Sequence, residues 1–346
     1  MRITEAVSKG TRLLAARVRG TAIPFHVTLY VTKRCNLRCV YCSSPDQHTT
    51  ELSAAEWCEV LKELRDLGTK RILFFGGEPL LRDDLAPIVS TAREFGMRTA
   101  LTSNGTLVPR RPEVIRQLDM LVLSLDGPPA AHDRNRGAGN HRDVMRALEV
   151  ARSWGVAVKA NAVLNANNAE TLDWLLDWSQ RERVPITLNL MRSEPNGLWK
   201  NARDHRLESG RIHALIARII SAKRTNPYIL FSVKTYRTVL QWQDFSRDRL
   251  MVAEVGRRFP GPRCSAGRFH CAIYPDGRLF PCTLTAEQVP ALDVRTAGVA
   301  AALARAGQHG CATCHSPCMQ EVNGVFALNL QPVANLVRNH LRFGLE

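Results

Sequence analysis

Three cysteines fall within Cys35-Asn36-Leu37-Arg38-Cys39-Val40-Tyr41-Cys42, a C-x3-C-x2-C run that follows the apolar, strand-like stretch 25–31. Thiols this close together, in a chain that otherwise reads as intracellular, are expected to bind metal. A structural zinc site closes with four ligands, and His48 is the one nearby Cys or His that offers to complete such a set. Three thiolates on a cubane of four irons would leave one iron open to a substrate or cofactor. The plainer alternatives are three buried structural thiols or half a zinc site.

Such a loop needs a scaffold, and the sequence after it alternates between helical and strand-like periods. Residues 53–67 set Trp57, Val60, Leu61, Leu64 and Leu67 on one helical face, with Ser53 as N-cap and Gly68 as stop. Cys58 lies near that face and reads as a core thiol. Further strands are expected at 71–75, 97–102, 120–125, 156–163 and 185–190, and helices at 83–95, 111–118, 140–154, 168–183 and 211–223. Six strands, each followed by a helix, predict an α/β fold with a parallel sheet, a partial (β/α)6 TIM-like barrel short of the eight units of a closed one.

Parallel β/α folds collect functional groups at the C-terminal ends of their strands. Those ends carry the cysteine loop, Gly76-Gly77-Glu78-Pro79, Thr102-Ser103-Asn104-Gly105, Ser124-Leu125-Asp126-Gly127, Asn161 and Asn189-Leu190-Met191. Each by itself reads as an ordinary turn. Their recurrence at one end of six strands points to a shared site.

The cysteine loop, with an aromatic residue just before its last cysteine, resembles the cluster loop of the radical S-adenosylmethionine (SAM) enzymes, and the resemblance extends from residue 25 to about 191. It implies a 4Fe–4S cluster on Cys35, Cys39 and Cys42 whose open iron chelates the amino and carboxylate groups of SAM. It also implies reductive cleavage of SAM to a 5′-deoxyadenosyl radical that takes a hydrogen from the substrate. Gly76, Gly77, Glu78 and Pro79 resemble the family's segment that holds the methionyl amine: the glycines permit close backbone approach, and Glu78 can accept from an ammonium. Asn104, Ser124 and Asp126 match positions that contact the ribose or carboxylate, and Asn161 and Leu190 lie at matching strand ends. Tyr41 is expected beside the adenine. Arg136, in preference to Arg134, is expected to pair with the SAM carboxylate, the alternative being a surface arginine in a loop. No residue stands out as catalytic.

A second cysteine system comprises Cys264, Cys271, Cys282, Cys311, Cys314 and Cys318, with a predicted hairpin over 272–280 turning at Pro275-Asp276-Gly277. A hairpin beside a C-x2-C knuckle also describes a zinc ribbon. Behind a radical SAM core it resembles the SPASM/Twitch extension, which implies one, possibly two, auxiliary 4Fe–4S clusters. The full SPASM knuckle has two further cysteines that this chain lacks. One complete cluster is therefore expected, with Cys264 and Cys282 as its firmest ligands and either Cys311 with Cys314 or Cys271 with Cys318 completing it. Residue 283 is Thr, whereas sulfatase-maturing relatives carry an acid there, so that activity is not expected.

The chain has 346 residues, is 45% hydrophobic, and carries a net charge of +15 with a pI near 9.8. These values fit a globular protein and exclude disordered and collagen-like classes. Without a secretory h-region or an apolar run of membrane-spanning length, a cytoplasmic location is expected. The organisation read from the sequence is a basic helix over 1–24, the core over 25–191, a bridging segment over 192–262 and the cysteine-rich domain over 263–346. The basic helix could touch an anionic membrane surface weakly; packing on the barrel is the simpler reading.

The expected function is an oxidoreductase fed by an electron donor such as flavodoxin or ferredoxin. Few residues precede the first strand, so peptide recognition would need a separate partner, and a small metabolite, sugar or lipid headgroup is the favoured substrate. A peptide maturase is the alternative. A zinc-stabilised nucleic-acid-binding protein is the rival from another class, but nucleic acid is not expected because aromatics are only 6% of the chain.

Overall fold

The computed structural model describes Ala16 and residues 19–194, 201–255 and 261–344. Six strands, β1 (His26–Thr32), β2 (Arg71–Gly76), β3 (Arg98–Ser103), β4 (Met120–Ser124), β5 (Val158–Leu164) and β6 (Ile186–Leu190), lie side by side in chain order. Each runs parallel to the next. The intervening helices are α1 (Ala54–Leu67), α2 (Leu85–Glu94), the short α3 (Pro112–Ile115), α4 (Pro129–Arg136), α5 (Asn140–Ser153) and α6 (Leu172–Arg181).

Local chemistry explains these boundaries. Ser53 caps α1 by accepting from Glu56 N while the Glu56 carboxylate accepts from Ser53 N, and Gly68 ends the helix at φ +96°. Strand alternation sends Val27, Leu29 and Val31 into the main core, where Trp57, Val60, Leu61 and Leu64 of α1 also lie. Tyr30 faces the other way, into a small aromatic core with Phe75, Tyr274 and Phe280.

The C-terminal part joins the same sheet. β8 (His270–Ile273) pairs in parallel with β1, placing Cys271 opposite Val27. β9 (Arg278–Phe280) returns antiparallel to β8, and β10 (Leu292–Asp293) pairs with β9. The open order is β10-β9-β8-β1-β2-β3-β4-β5-β6. The turn of the expected hairpin uses Gly277 at φ +85°. A separate two-stranded piece pairs β7 (Arg249–Met251) with β11 (Cys311–Cys314). The remaining helices are α7 (Ser209–Ala222), α8 (Val233–Leu240), α9 (Val294–Ala306), α10 (Pro317–Phe326) and α11 (Leu330–Phe343).

Two local expectations need correction. The helix read over 111–118 is confined to α3, preceded by a 3-10 turn at Val108–Arg110. Arg134 and Arg136 lie on α4 instead of a loop, and Arg136 is buried. The predicted basic helix over 1–24 falls largely outside the described residues; Ala16 packs with Phe25 and Phe269. Among the described residues, no helix is long and apolar enough to cross a membrane.

Candidate active site

The loop between β1 and α1 carries Cys35, Cys39 and Cys42, and it is held from below by the turn that ends β2. Gly77 N donates to Thr32 O and Glu78 N to Arg34 O, each at 2.9 Å. A Cβ on Gly77 would stand 2.2 Å from Arg34 O, and one on Gly76 2.4 Å from Thr32 O. The two glycines thus admit the chain's own cysteine loop, whereas the sequence suggested close approach to a ligand. Pro79 opens a 3-10 turn and is buried.

Glu78 is fully buried and ties that turn to the end of β3. Its carboxylate accepts from Ser103 Oγ at 3.0 and 3.1 Å, Asn104 N at 2.8 Å and Leu80 N at 3.2 Å. Burial pushes its carboxyl up to about 7, while these donors hold it from rising further. Asn104 reaches back to the loop, donating to Asn36 Oδ1 at 2.9 Å and touching Cys35 Sγ at 3.9 Å.

A second brace comes from the end of β4. Asp126 accepts from Tyr41 OH at 2.9 Å, Arg136 Nε at 2.7 Å and Val163 N at 3.1 Å. Burial opposes charge on Asp126, but the Arg136 guanidinium outweighs it and holds the carboxyl below the usual range. His132 Nδ1 accepts from Asp126 N at 3.1 Å, which leaves Nε2 as the donor to Asn140 Oδ1 at 2.9 Å. Asn140 in turn donates to Asn104 O at 3.0 Å, closing a chain of contacts around the cysteine loop. Tyr41 and Arg136, expected to touch SAM, are thus also bound to Asp126.

The thiols themselves are half-buried. Burial pushes Cys35 up to about 12 and Cys42 to about 11; it also raises Cys39, where Arg136 pulls the other way. Left alone these groups stay protonated, so thiolate ligation needs a bound cation to offset the desolvation. Three soft donors around a Gly-backed loop, with no fourth thiol on the same loop, fit a cluster with one open iron better than a closed zinc site. Of the remaining strand-end residues, Asn161 Oδ1 accepts from Thr187 Oγ1 and Asn189 Nδ2, each at 2.8 Å. Ser124 and Leu190 are buried.

The C-terminal cysteines separate into two groups. Cys264 and Cys311 interact as a pair of neighbouring thiols, and the Cys264 thiol also feels Cys282 and Cys314. His309 Nδ1 accepts from Cys311 N at 2.9 Å and fixes that turn. Cys271 lies in the main core with burial alone acting on its thiol, and Cys318 faces Lys159, Arg71 and Glu321. Among the described residues, no three His, Cys, Asp or Glu side chains meet at single-ion spacing.

Several residues in this architecture went unread in the sequence: His132, Asn140, Arg192 and Asp248. Arg192 was open to the same strand-end rule that marked the others, since it follows β6 by two positions. It donates through Nε to Asp248 Oδ2 at 3.1 Å and through one terminal nitrogen to Leu284 O at 2.8 Å.

The structure is a parallel β/α sheet of the partial-barrel type with a three-thiol loop at the end of its first strand. Residues 29–178 match the model of the Radical SAM superfamily. That family implies a 4Fe–4S cluster and SAM. The chain is 36% identical over 192 residues to a probable GTP 3′,8-cyclase of Methanopyrus kandleri, covering 53% of this chain and 61% of that protein. It is 33% identical over 161 residues to the PqqA peptide cyclase of Streptomyces rochei, covering 44% of each. The chain spans about half the length of the curated relatives it matches. Its fold is similar to that of Streptococcus suis SuiB bound to S-adenosylmethionine, with a TM-score of 0.63 and 16% identity over 86% of this chain and 70% of that one.

Proposed function

We propose that this chain is a radical SAM oxidoreductase in which Cys35, Cys39 and Cys42 hold the SAM-binding cluster, while Cys264, Cys282, Cys311 and Cys314 hold one auxiliary cluster in a Twitch-like arrangement. When bound, the cluster and SAM together supply a 5′-deoxyadenosyl radical. The protein's own residues position and enclose that chemistry. Glu78 and Asn104 fix the near side of the cysteine loop, and Asp126 and Arg136 fix its far side. Ser124, Asn161 and Leu190 lie at the strand ends where SAM would be bound. A flavodoxin or ferredoxin supplies the electron.

The carrying observation is the convergence of three strand-end segments, those of β2, β3 and β4, on one three-thiol loop. A peptide is the substrate favoured by the named relatives, because PqqA peptide cyclase is among them and SuiB has been solved with its precursor peptide SuiA. A small metabolite is the second reading, favoured by the GTP 3′,8-cyclase relatives. The test is anaerobic reconstitution followed by incubation with SAM and dithionite. Release of 5′-deoxyadenosine, lost in Cys35→Ala, supports the enzyme; iron incorporation without any such release refutes it.

A further inference from the structure

Among the described residues, several buried polar side-chain atoms have no hydrogen-bond partner, and two of these, on Arg192 and Tyr274, are donors flanking the same segment, 282–286. Arg192 is 7% exposed, and with Nε on Asp248 and one terminal nitrogen on Leu284 O, its other terminal nitrogen has no partner. Tyr274 is fully buried and its hydroxyl has no partner. An unsatisfied buried polar group costs roughly 1–3 kcal/mol, so two within electrostatic reach of one another mark a place built for something that binds there.

The surroundings say what. Tyr274 stacks on Tyr30 with ring centroids 4.5 Å apart at 11°. The Arg192 charge acts on both phenols, Cys42 acts on Tyr30, and Cys282 acts on Tyr274. Arg192, bound to Leu284 O at 2.8 Å, and Tyr274, edge-on to Phe280 at 5.1 Å, both lie beside the segment that carries Cys282. Asp248 is already engaged by His315 Nε2 at 3.1 Å, Ser193 N at 2.7 Å and Glu194 N at 3.0 Å; it anchors the guanidinium without using the free nitrogen.

We propose that Arg192 and Tyr274 form a subsite for a carboxylate group of the substrate, held over the Tyr30–Tyr274 aromatic pair beside the Cys282 segment. A guanidinium nitrogen and a phenol supply donors for the two oxygens of one carboxylate. Phosphate suits the site less well, because its second charge would face a guanidinium already partly neutralised by Asp248. Arg192 and Tyr274 are specificity-determining residues here, and they take no part in the radical step. The assignment deepens the proposed function and rests on it for the identity of the bound group as substrate.

Its test is equilibrium binding to iron-reconstituted protein, without SAM or reductant, followed by ligand-observed NMR with succinate, with succinamide as the uncharged comparator and inorganic phosphate as the competing anion. Succinate is expected to bind at least about tenfold more tightly than either. Arg192→Gln and Tyr274→Phe should each weaken succinate about tenfold and leave succinamide unchanged. Tyr274→Phe removes a hydroxyl that bonds to nothing, so it keeps the fold and decides the matter if Arg192→Gln does not fold. Equal binding of succinate and succinamide, or a Tyr274→Phe protein that binds succinate like the parent, would overturn the subsite. Release of 5′-deoxyadenosine by the parent protein is scored separately, so a failed subsite and a failed radical SAM reading give different results.

Discussion

Tyr41 donates its hydroxyl to Asp126 Oδ2 at 2.9 Å, joining positions 85 apart in the sequence. The same carboxylate takes Arg136, whose guanidinium lies 5.9 Å from the Tyr41 ring centroid. The penultimate residue of the cysteine run is therefore fastened to the end of β4 by a fully buried ion pair. Removing Asp126 leaves the guanidinium buried without its counter-charge, a change that costs about 3–5 kcal/mol. Asp126→Ala should lower the unfolding free energy measured by urea titration by that amount and lower iron retention. Tyr41→Phe, which forfeits one hydrogen bond, should cost only about 1 kcal/mol.

Gly77 offers a purely steric test. A methyl group there would meet the backbone of Lys33 and Arg34 at 2.2 to 2.7 Å, with no flexible side chain to give way. Gly77→Ala is expected to destabilise the fold by about 3 kcal/mol and to reduce the iron taken up by the adjacent loop, as read by denaturant titration and iron assay. The exposed Gly96 has no atom within 4 Å of an added Cβ; because its φ is +73°, Gly96→Ala should cost about 1 kcal/mol of backbone strain and leave iron uptake alone.

The C-terminal thiols make a counting experiment. Cys264→Ala, Cys282→Ala, Cys311→Ala and Cys314→Ala should each remove one cluster's worth of iron and acid-labile sulfide. Cys271→Ala and Cys318→Ala should retain the parent's content, because neither thiol faces that group of four. Loss of iron from the Cys271 variant alone would reverse the assignment.

Acid stability should report Asp248. Burial favours its neutral form, yet His315 and Arg192 outweigh burial and hold it down to about 2. A carboxyl depressed in the folded state contributes stability above its unfolded value near 3.9, and that contribution is lost as pH falls toward 2. The side chain is almost fully buried, so the contribution is about 2 kcal/mol. The parent should lose that much stability between about pH 4 and pH 2, whereas Asp248→Asn should start lower and show a shallower acid decline over this window. Equilibrium urea unfolding at successive pH values measures both slopes.

Much of the frame could be read from sequence because it rests on local periodicity. Six strand-like runs, the Ser53 cap and the Gly68 stop all depend on neighbours within a few residues. The helix α4 did not reveal itself: Gly127 and Pro128 read as a turn, and His132-Asp133-Arg134-Asn135-Arg136 lacks an apolar stripe. Its burial of Arg136 depends on Asp126, a pairing that only the packed structure creates. The polar strand-end residues were found by position, but position could not tell a ligand contact from a brace. Glu78 shows why, since its carboxylate is committed to Ser103, Asn104 and Leu80. The choice among the C-terminal cysteines was likewise hidden. It follows from strand alternation in β8, which turns Cys271 and Ile273 toward the main core and Ala272 and Tyr274 to the opposite face.

Because β8 is hydrogen-bonded along β1 from His26 to Leu29, the cysteine-rich portion cannot swing on a tether. The strand leading to Cys282 lies two ladder steps, about 10 Å, from the strand leading to Cys35. Any electron passing between metal centres at these places would cross a gap fixed by backbone geometry and insensitive to solvent viscosity or linker length.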